Sequence, residues 1–527
     1  MKLYKKIIAS KRSKKGVQEQ PGDILQPNEQ KQNLSRFLGN NESTINNIFN
    51  KNFDYYHERT VVGRNDASII YLKSMVSGDA VSEHVMETLA EAYQHKPTIE
   101  TNKEVETFQK TYFPSSDFTF VEFEHEVVWY VLSGYCVILI DGVSKGLAIN
   151  VRTKEKRAIE QSQTQTIIRG PQDSFTETLT TNISLIRRKV KNRYLVCEEM
   201  TVGTKTQTSV CLTYLEDVAD PLIVKEVKKR ISKIDINAIF DSGNIEELIT
   251  DEVYTPFPTI YHTDRPDTTS TKIIDGKIAV VVDGSPFVII LPVVLTEFFQ
   301  VSEDYYQGFL MSSFTRSIRY LAFMIALILP SLYIGLTTYH QQLIPTNLVF
   351  NLQAQREGVP FPAVVEILMM EITFEILREA GVRMPRAVGQ AVSIVGTLVI
   401  GQAAVEAGIV SNFLVIVVAL TAMAGFVSPI YSFANSARLL RFGLILLTGF
   451  LGLYGTLLGI IVILSHLASL RSFGVPYLAP VGPFILSGQK DTIFRFPIKS
   501  LNKKPSFLTK KATNEKEANK SKEGEKS

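Results

Sequence analysis

Three carboxylates in one helix-forming stretch are the residues whose types and spacing are best suited to chemistry. Glu371, Glu375 and Glu379 recur at four-residue intervals within residues 363–380, so a helix there places them on one face. The opposite face carries most of the aliphatic side chains of this stretch, which are Ile367, Leu368, Ile372, Ile376 and Leu377. The stretch favours a helix by propensity, but it carries too many charges to face lipid on all sides. These features predict an amphipathic helix with a carboxylate stripe.

This helix allows two interpretations. It can lie on a surface with its charged face in solvent, or it can lie inside an oligomer with its carboxylates facing a water-filled passage. Rings of Asp or Glu favour cations in such passages. For the second interpretation, Glu371, Glu375 and Glu366 are candidate pore residues. Arg378 follows Glu375 by three residues, so it can pair with Glu375 and hold a closed state.

Apolar stretches on both sides of this helix predict a membrane domain within residues 313–475. A membrane span needs about 20 mainly apolar residues. Four such spans are predicted, at residues 320–339, 388–408, 412–433 and 442–470. Pro330 lies near the middle of the first span and is expected to bend it, because proline removes a helical hydrogen bond.

The second predicted span carries small and polar residues that can serve packing or function. A stripe of small residues at four-residue spacing permits close helix approach, and it consists of Gly389, Ser393, Thr397 and Gly401. Gln402 and Glu406 are candidate intramembrane polar groups. Glu406 lies so near the end of the span that it can also simply reach water. Gly455 and Gly459 repeat the small-residue spacing in the last span.

The distribution of basic residues predicts the orientation. Basic residues follow the last span, among them Arg471, Lys490, Arg495, Lys499, Lys503 and Lys504, and the rest of the tail is lysine-rich. By the positive-inside rule this places the C-terminus in the cytoplasm. With both termini inside, the number of spans is even, and four spans fit better than a fifth one at residues 363–380. Arg438 and Arg441, just before the last span, then lie outside, which conflicts with the same rule.

The part before the membrane has the mixed composition of soluble protein, and no secretion signal is visible, so we expect it in the cytoplasm. Alternating strand and helix patterns predict an α/β (α+β) fold. The predicted divisions are a disordered basic and polar arm at 1–42, a first soluble subdomain at 43–155, a second at 156–300 that includes the approach to the membrane, and a cytoplasmic basic tail at 476–527.

Two strand pairs joined by Asp-Gly turns are predicted, at residues 137–151 and 277–291. Their similarity is compatible with an internal duplication, but two independent hairpins that use the commonest turn chemistry are the preferred interpretation. A polar loop held by an Asp–Arg pair is predicted at residues 261–267, because Pro266 disfavours regular structure through that segment.

Composition argues against several classes of function. A net charge of +3 is too small to suggest nucleic acid, and three cysteines form no disulfide framework. The histidines show no metal-ligand spacing. Residues 203–206 (GTKT) lack the first glycine of a phosphate loop, so a hairpin turn is the preferred interpretation. We expect no catalytic site, metal or cofactor.

Several longer motifs carry a resemblance to a known family. They are LIRRKVK (185–191), EEMTVG (198–203), DRPD (264–267), GVPFP (358–362), FEILREAGVRMP (374–385) and VGTLVIGQAAVEAGIVS (395–411). On these motifs the chain resembles the A subunits of spore germination receptors, the GerA family, over about residues 52–496.

The resemblance implies a nutrient-sensing complex in the spore inner membrane, with a transporter-like B subunit and a C lipoprotein as partners. It also implies that A subunits oligomerise and form a ligand-gated cation channel. A non-conducting transducer or scaffold is the alternative of another class. A secondary transporter is a third, although clear paired inverted halves are absent from the sequence.

Overall fold

The structure is a computed structural model that describes residues 31–95, 97–113, 117–152, 162, 165–384, 401–486 and 488–501. Two α/β units come first in the chain, and a bundle of helices follows. This confirms the α/β character of the N-terminal part and the helical character of the C-terminal part. Of the predicted arm at 1–42, residues 1–30 lie outside the described residues, and the first helix begins within the remainder.

The first unit is a five-stranded antiparallel sheet with helices on both faces. Its elements are α1 (Leu38–Phe49), β1 (Tyr55–Val62), β2 (Asn65–Leu72), α2 (Gly78–Val81), α3 (Glu87–His95), α4 (Asn102–Tyr112), β3 (Phe118–Val121), α5 (Glu124–Leu132), β4 (Tyr135–Ile140) and β5 (Gly146–Asn150). A π-helical turn, Ser82–Met86, makes α2 and α3 one continuous helix. The strand order is β1-β2-β4-β5-β3.

The second unit repeats this plan. Its elements are α6 (Leu179–Lys189), β6 (Leu195–Val202), β7 (Thr208–Leu215), α7 (Pro221–Ser232), α8 (Ser242–Ile249), β8 (Tyr261–Thr263), α9 (Pro266–Ile274), β9 (Ile278–Val282) and β10 (Val288–Leu291). The order along its antiparallel sheet is β6-β7-β9-β10-β8. With α2–α3 taken as one helix, both units run helix, two strands, two helices, strand, helix, two strands.

This repeated topology corrects the preference for two independent hairpins. The two Asp-Gly turns lie at equivalent positions, between β4 and β5 and between β9 and β10. Gly142 and Gly284 have φ values of +89° and +85°, a region that glycine enters without steric cost. The two units share their strand order but not their residue identities. In the sequence, the only sign of the repeat is therefore the Asp-Gly turn that both units contain.

The segment around Pro266 also differs from expectation. The pair between Arg265 and Asp267 is present at 2.8 Å, as predicted. Pro266, however, starts α9 rather than preventing regular structure. The first helical position tolerates proline because its N–H would have no intrahelical partner there. The hairpin turn at residues 203–206 is confirmed between β6 and β7, where Gly203 has a φ of +90°.

The bundle follows two short 3-10 turns, Leu295–Phe299 and Ser302–Tyr305. Its helices are α10 (Phe309–Ile334), α11 (Thr346–Arg356), α12 (Ala363–Arg383), α13 (Asn412–Phe426), α14 (Tyr431–Leu451) and α15 (Leu453–Ser469). A π-helical turn, Gly335–Tyr339, extends α10, and a short strand pair, β11 (Arg471–Ser472) and β12 (Val475–Pro476), follows α15.

Among the described residues, two helices are long and apolar enough to cross a membrane: α10 with its π turn, and α14. The helices α13 and α15 are apolar but shorter. The span predicted at 388–408 lies mostly outside the described residues. The structure corrects the bounds of the last two spans, 412–433 and 442–470, because α14 takes the end of one and the start of the other.

Two breaks explain these helix bounds. Pro429 disfavours helical geometry at the preceding residue, so α13 ends before it. Gly452 has a φ of +61° and separates α14 from α15. Both breaks lie inside stretches that remain apolar, so hydropathy does not show them.

The break at Gly452 places Arg438 and Arg441 within α14 rather than just before the last helix. The Ser436 hydroxyl near the start of α14 donates to the carbonyl of Pro256 in the second α/β unit. Gly452, at the other end of α14, lies against the Tyr339 ring at the far end of α10. Both arginines therefore lie in the half of α14 nearer the α/β units.

Candidate functional site

Two of the three carboxylates in the stripe of α12, Glu371 and Glu375, face the interior of the bundle, whereas Glu379 is exposed. Glu371 is only 1% exposed, whereas Ile372 and Ile376 on the other side are 50% and 64% exposed. This arrangement contradicts the interpretation of a surface helix with its charged face in solvent. The reason is that α14, more than 60 residues further along the chain, supplies positive charge to the acidic side.

Arginines from two helices surround the carboxylates. Arg441 Nη2 lies 2.8 Å from Glu371 Oε2, and both side chains are almost fully buried. Glu375 pairs with Arg378 at 2.6 Å, as its spacing predicted, and lies 3.4 Å from both Arg438 and Arg441. We call these five side chains the Glu–Arg cluster.

Sequence reasoning missed two members of this cluster, Arg438 and Arg441. Their three-residue spacing places them on one face of a helix, and that signal was available. In the sequence, these two arginines counted only as a conflict between the predicted orientation and the positive-inside rule. The partner of Glu371 is 70 positions away in the chain, and no local pattern identifies it.

The Glu–Arg cluster carries an excess of positive charge. Three guanidiniums face two carboxylates, so one positive charge remains when all are ionised. A buried ion pair is costly to break from one side, because the remaining partner stays in a medium of low dielectric constant. Within one chain, the cluster therefore acts as an electrostatic clamp between α12 and α14.

The other carboxylates of α12 lie elsewhere. Glu366 is fully buried, accepts a hydrogen bond from Arg356 at 3.3 Å, and also accepts one from the Ser411 backbone N–H at 3.3 Å. It thereby joins the start of α12 to α11 and to the start of α13. Glu379 is exposed and pairs with Arg383 at 2.6 Å.

The remaining candidates divide into two groups. Gln402 Nε2 donates to Glu406 Oε1 at 2.8 Å, and both side chains are exposed in this chain. Of the predicted small-residue stripe, Gly389, Ser393 and Thr397 lie outside the described residues. Gly401 is buried, and an added Cβ there would meet Val415 at an ordinary 3.7 Å.

Close helix packing is instead found in α15. A Cβ at Gly455 would overlap the carbonyl oxygen of Leu447, and one at Gly459 would overlap the Leu444 side chain. Both neighbours belong to α14, so the glycine spacing predicted for the last span permits this antiparallel contact.

A second polar region lies where the α/β units meet the bundle, and sequence reasoning missed it. Arg316 near the start of α10 is fully buried and pairs with Asp304 at 3.0 Å and with Asp491 at 2.8 Å. Arg495 donates to the Asp304 carbonyl at 2.6 Å. The described part of the predicted basic tail is therefore packed against the base of α10.

A cavity of about 470 Å³ adjoins this region, between α9 and the C-terminal segment. Asp275 and Lys272 line it, together with Tyr305 and Asp491. Burial raises the pKa of Asp275 to about 6, against a smaller opposing effect of Lys272. Across the described residues, no three His, Cys, Asp or Glu side chains come together as a metal-binding group.

Comparison with known proteins identifies the family. Residues 43–507 match the Bacillus/Clostridium GerA spore germination protein family. Spore germination protein KA of Bacillus subtilis is 45% identical over 443 residues, which is 84% of this chain and 81% of that protein. Spore germination protein A1 of the same organism is 41% identical over 380 residues, or 72% of this chain and 79% of that protein.

One solved structure is also similar, the crystal structure of the N-terminal domain of the A subunit of the Bacillus megaterium spore germinant receptor GerK3. It has 28% sequence identity and a TM-score of 0.41, and covers 51% of this chain and 99% of that domain. The family match and the two relatives confirm the resemblance carried by the motifs. The chain belongs to the GerA family of spore germination proteins.

Proposed function

We propose that this protein is a multi-pass membrane subunit of a germinant receptor, and that it oligomerises into a ligand-gated cation channel. In this proposal its partners are the transporter-like B subunit, the C lipoprotein and further copies of itself. The family membership supports a role in germination. The single observation that carries the gating proposal is the Glu–Arg cluster, which joins α12 to α14 inside the bundle.

The cluster suggests how a closed state is held. While Arg441 and Arg438 are paired with Glu371 and Glu375, the negative charge of these carboxylates is neutralised and attracts a cation only weakly. Movement of α12 away from α14 would separate the charges and expose the carboxylates to a passage between subunits. A signal from a neighbouring subunit needs only to favour the separated arrangement by a few kcal/mol.

Ion flux in reconstituted receptor tests this proposal. Glu371→Gln and Glu375→Gln remove the clamp from one side, so we expect potassium release without germinant to rise about 5- to 150-fold, the range for a coupling of about 1–3 kcal/mol. Cation selectivity should fall in the same variants. The measurement is potassium efflux from vesicles that hold the complete receptor.

Glu379→Gln is the matched control, because Glu379 lies on the same helix but is exposed and pairs only with Arg383. It should behave as the parent protein does. Unchanged conductance and selectivity in both Glu371→Gln and Glu375→Gln would remove these residues from the conducting pathway.

A non-conducting transducer is the second candidate, and one observation favours it. The carboxylates are already neutralised within the chain, with positive charge in excess, which is not the composition of a cation-attracting ring. A transducer should tolerate the double substitution Glu371→Met with Arg441→Met, which keeps packing and removes the pair together. A pore lined by Glu371 should not.

A further inference from the structure

A cavity of about 210 Å³ opens beside the Glu–Arg cluster. Its polar lining residues include Arg378, Arg438 and Arg441, together with Thr421 and Ser428. Its apolar wall includes Phe323, Ala326, Phe374, Phe426 and Tyr431. One side of the cavity is therefore cationic and the other is suited to hydrocarbon.

The cavity lies at the end of the bundle nearer the α/β units. Arg438 lies two positions after Ser436, which contacts the second α/β unit through Pro256. The connection between α13 and α14, including Ser428 and Pro429, forms the adjoining edge. The cavity is thus at the end of the bundle nearer the α/β units, where a membrane would have its surface on that side.

The guanidiniums retain unused hydrogen-bonding capacity. The Nε atoms of Arg378 and Arg441 are buried and donate to no group among the described residues. The Arg441 side chain is only 3% exposed, so bulk water does not readily satisfy it. Glu371 Oε1 is likewise buried without a donor in the described structure. A buried polar atom without a partner costs about 1–3 kcal/mol, so a bound group that satisfies it is stabilising.

We propose that this cavity binds the phosphate of an anionic phospholipid, with the start of an acyl chain along the apolar wall. Guanidinium donors match phosphate oxygens in pairs. Basic pockets between membrane helices on the cytoplasmic side bind such headgroups. The excess positive charge of the cluster selects an anion, because three arginines but neither carboxylate line the cavity. This inference rests on the proposed membrane placement but not on ion conduction.

Occupation of the cavity would alter the clamp. The contacts of Arg438 and Arg441 with Glu375 are long, at 3.4 Å, whereas Arg378 lies 2.6 Å from it. A phosphate would compete with Glu375 for Arg438 and Arg441 before it competed for Arg378, because the contacts of those two arginines with Glu375 are the longer ones. An anionic lipid therefore loosens α14 from α12 at Glu375 while leaving the Glu371–Arg441 pair in place.

Lipid retention by the purified full-length chain tests this site. We expect native mass spectrometry to show at least about tenfold preferential retention of phosphatidylglycerol over phosphatidylcholine, a difference of about 1.4 kcal/mol. Arg438→Gln should abolish the preference, and Arg438→Lys should keep part of it. Arg383→Gln is the control, because Arg383 is 78% exposed near the end of the same helix as Arg378.

Three outcomes would overturn the inference. One is equal retention of the two lipids by the parent protein, a comparison that needs no variant to fold. Another is an equal loss of preference in Arg383→Gln, which would indicate a general effect of surface charge. The third is thermal stabilisation by inorganic phosphate without any preference for phosphatidylglycerol. That result would show that the site binds a free anion from solution and not a lipid headgroup. Lipid retention is measured without flux, so a failed channel assay leaves it unaffected.

Discussion

At the scale of single residues, a buried ion pair connects the two α/β units. Arg187 in α6 donates from Nε and Nη2 to the two carboxylate oxygens of Asp54 at 3.0 and 2.7 Å, and from Nη2 to Asn52 at 2.9 Å. Asn52 in turn accepts from the backbone N–H of Cys197 in β6 at 3.0 Å. Arg187 belongs to the LIRRKVK motif, so part of that motif is explained by a structural role.

We therefore expect Arg187→Gln to destabilise the protein by about 3–5 kcal/mol, because Asp54 is left buried without its charge partner. The neighbouring Arg188 is exposed, and Arg188→Gln should change stability by no more than about 0.5 kcal/mol. Denaturant unfolding can be followed at Trp129, the single tryptophan, which lies in the first unit. Similar stabilities of the two variants would contradict a joining role for Arg187.

At the scale of elements, the contact between α14 and α15 depends on missing side chains. Gly455 and Gly459 allow the two helices to approach until backbone and side-chain atoms of α14 occupy the space of a methyl group. Close approach of this kind replaces the hydrophobic driving force, which is weak between helices in lipid.

Gly455→Ala should lower the thermal midpoint of the purified protein, since overpacking costs about 1–3 kcal/mol. Gly443→Ala in α14 provides the control, because an added Cβ there has no neighbour within 4 Å. That variant should match or exceed the parent, as alanine favours a helix over glycine by up to about 1 kcal/mol. A lower midpoint for Gly443→Ala than for Gly455→Ala would refute this account of the packing.

At the scale of the whole molecule, the C-terminal segment returns to the junction between the α/β units and the bundle. Its Asp491 pairs with Arg316 of α10, and the same segment closes one side of the 470 Å³ cavity that Asp275 lines. Three parts of the chain that are distant in sequence thus meet around one titratable carboxyl.

Asp275 gives the junction a dependence on pH. Its pKa in the folded protein is about 6, raised by burial from 3.8. The carboxyl therefore binds its proton more tightly in the folded state than in the unfolded state. The contribution of Asp275 to the free energy of unfolding favours folding fully below about pH 4 and is lost as the pH rises through 6. At pH 8, Asp275→Asn should increase the free energy of unfolding by on the order of 1 kcal/mol, and the thermal midpoint should rise accordingly. This stabilisation should become smaller as the pH falls toward 4.

Asp235→Asn, at an exposed position in the same unit, should show no such trend. The comparison requires thermal unfolding of both variants and the parent across pH 4 to 8. A pH-independent effect of Asp275→Asn would show that the carboxyl titrates normally in the folded protein.

The sequence by itself determined what depends on neighbours along the chain. Alternating patterns and Asp-Gly turns predicted the strands of both units, because turn geometry is decided by two residues. The three-residue spacing of Glu375 and Arg378 predicted their pair, and extended motifs identified the family. Apolar composition also predicted a membrane domain beyond residue 313, and two of the described helices there are long and apolar enough to cross a membrane.

Only the tertiary structure decided which distant groups meet. Nothing local pairs Glu371 with Arg441, and the carboxylate stripe alone fits an exposed helix as well as a buried one. Its environment depends on α14, which begins after Pro429 and ends before Gly452, and both of these breaks lie within apolar sequence. Electrostatic and packing contacts form between residues that are distant in the chain. The orientation of Glu371 and Glu375 toward the interior of the bundle is therefore visible only in the folded structure.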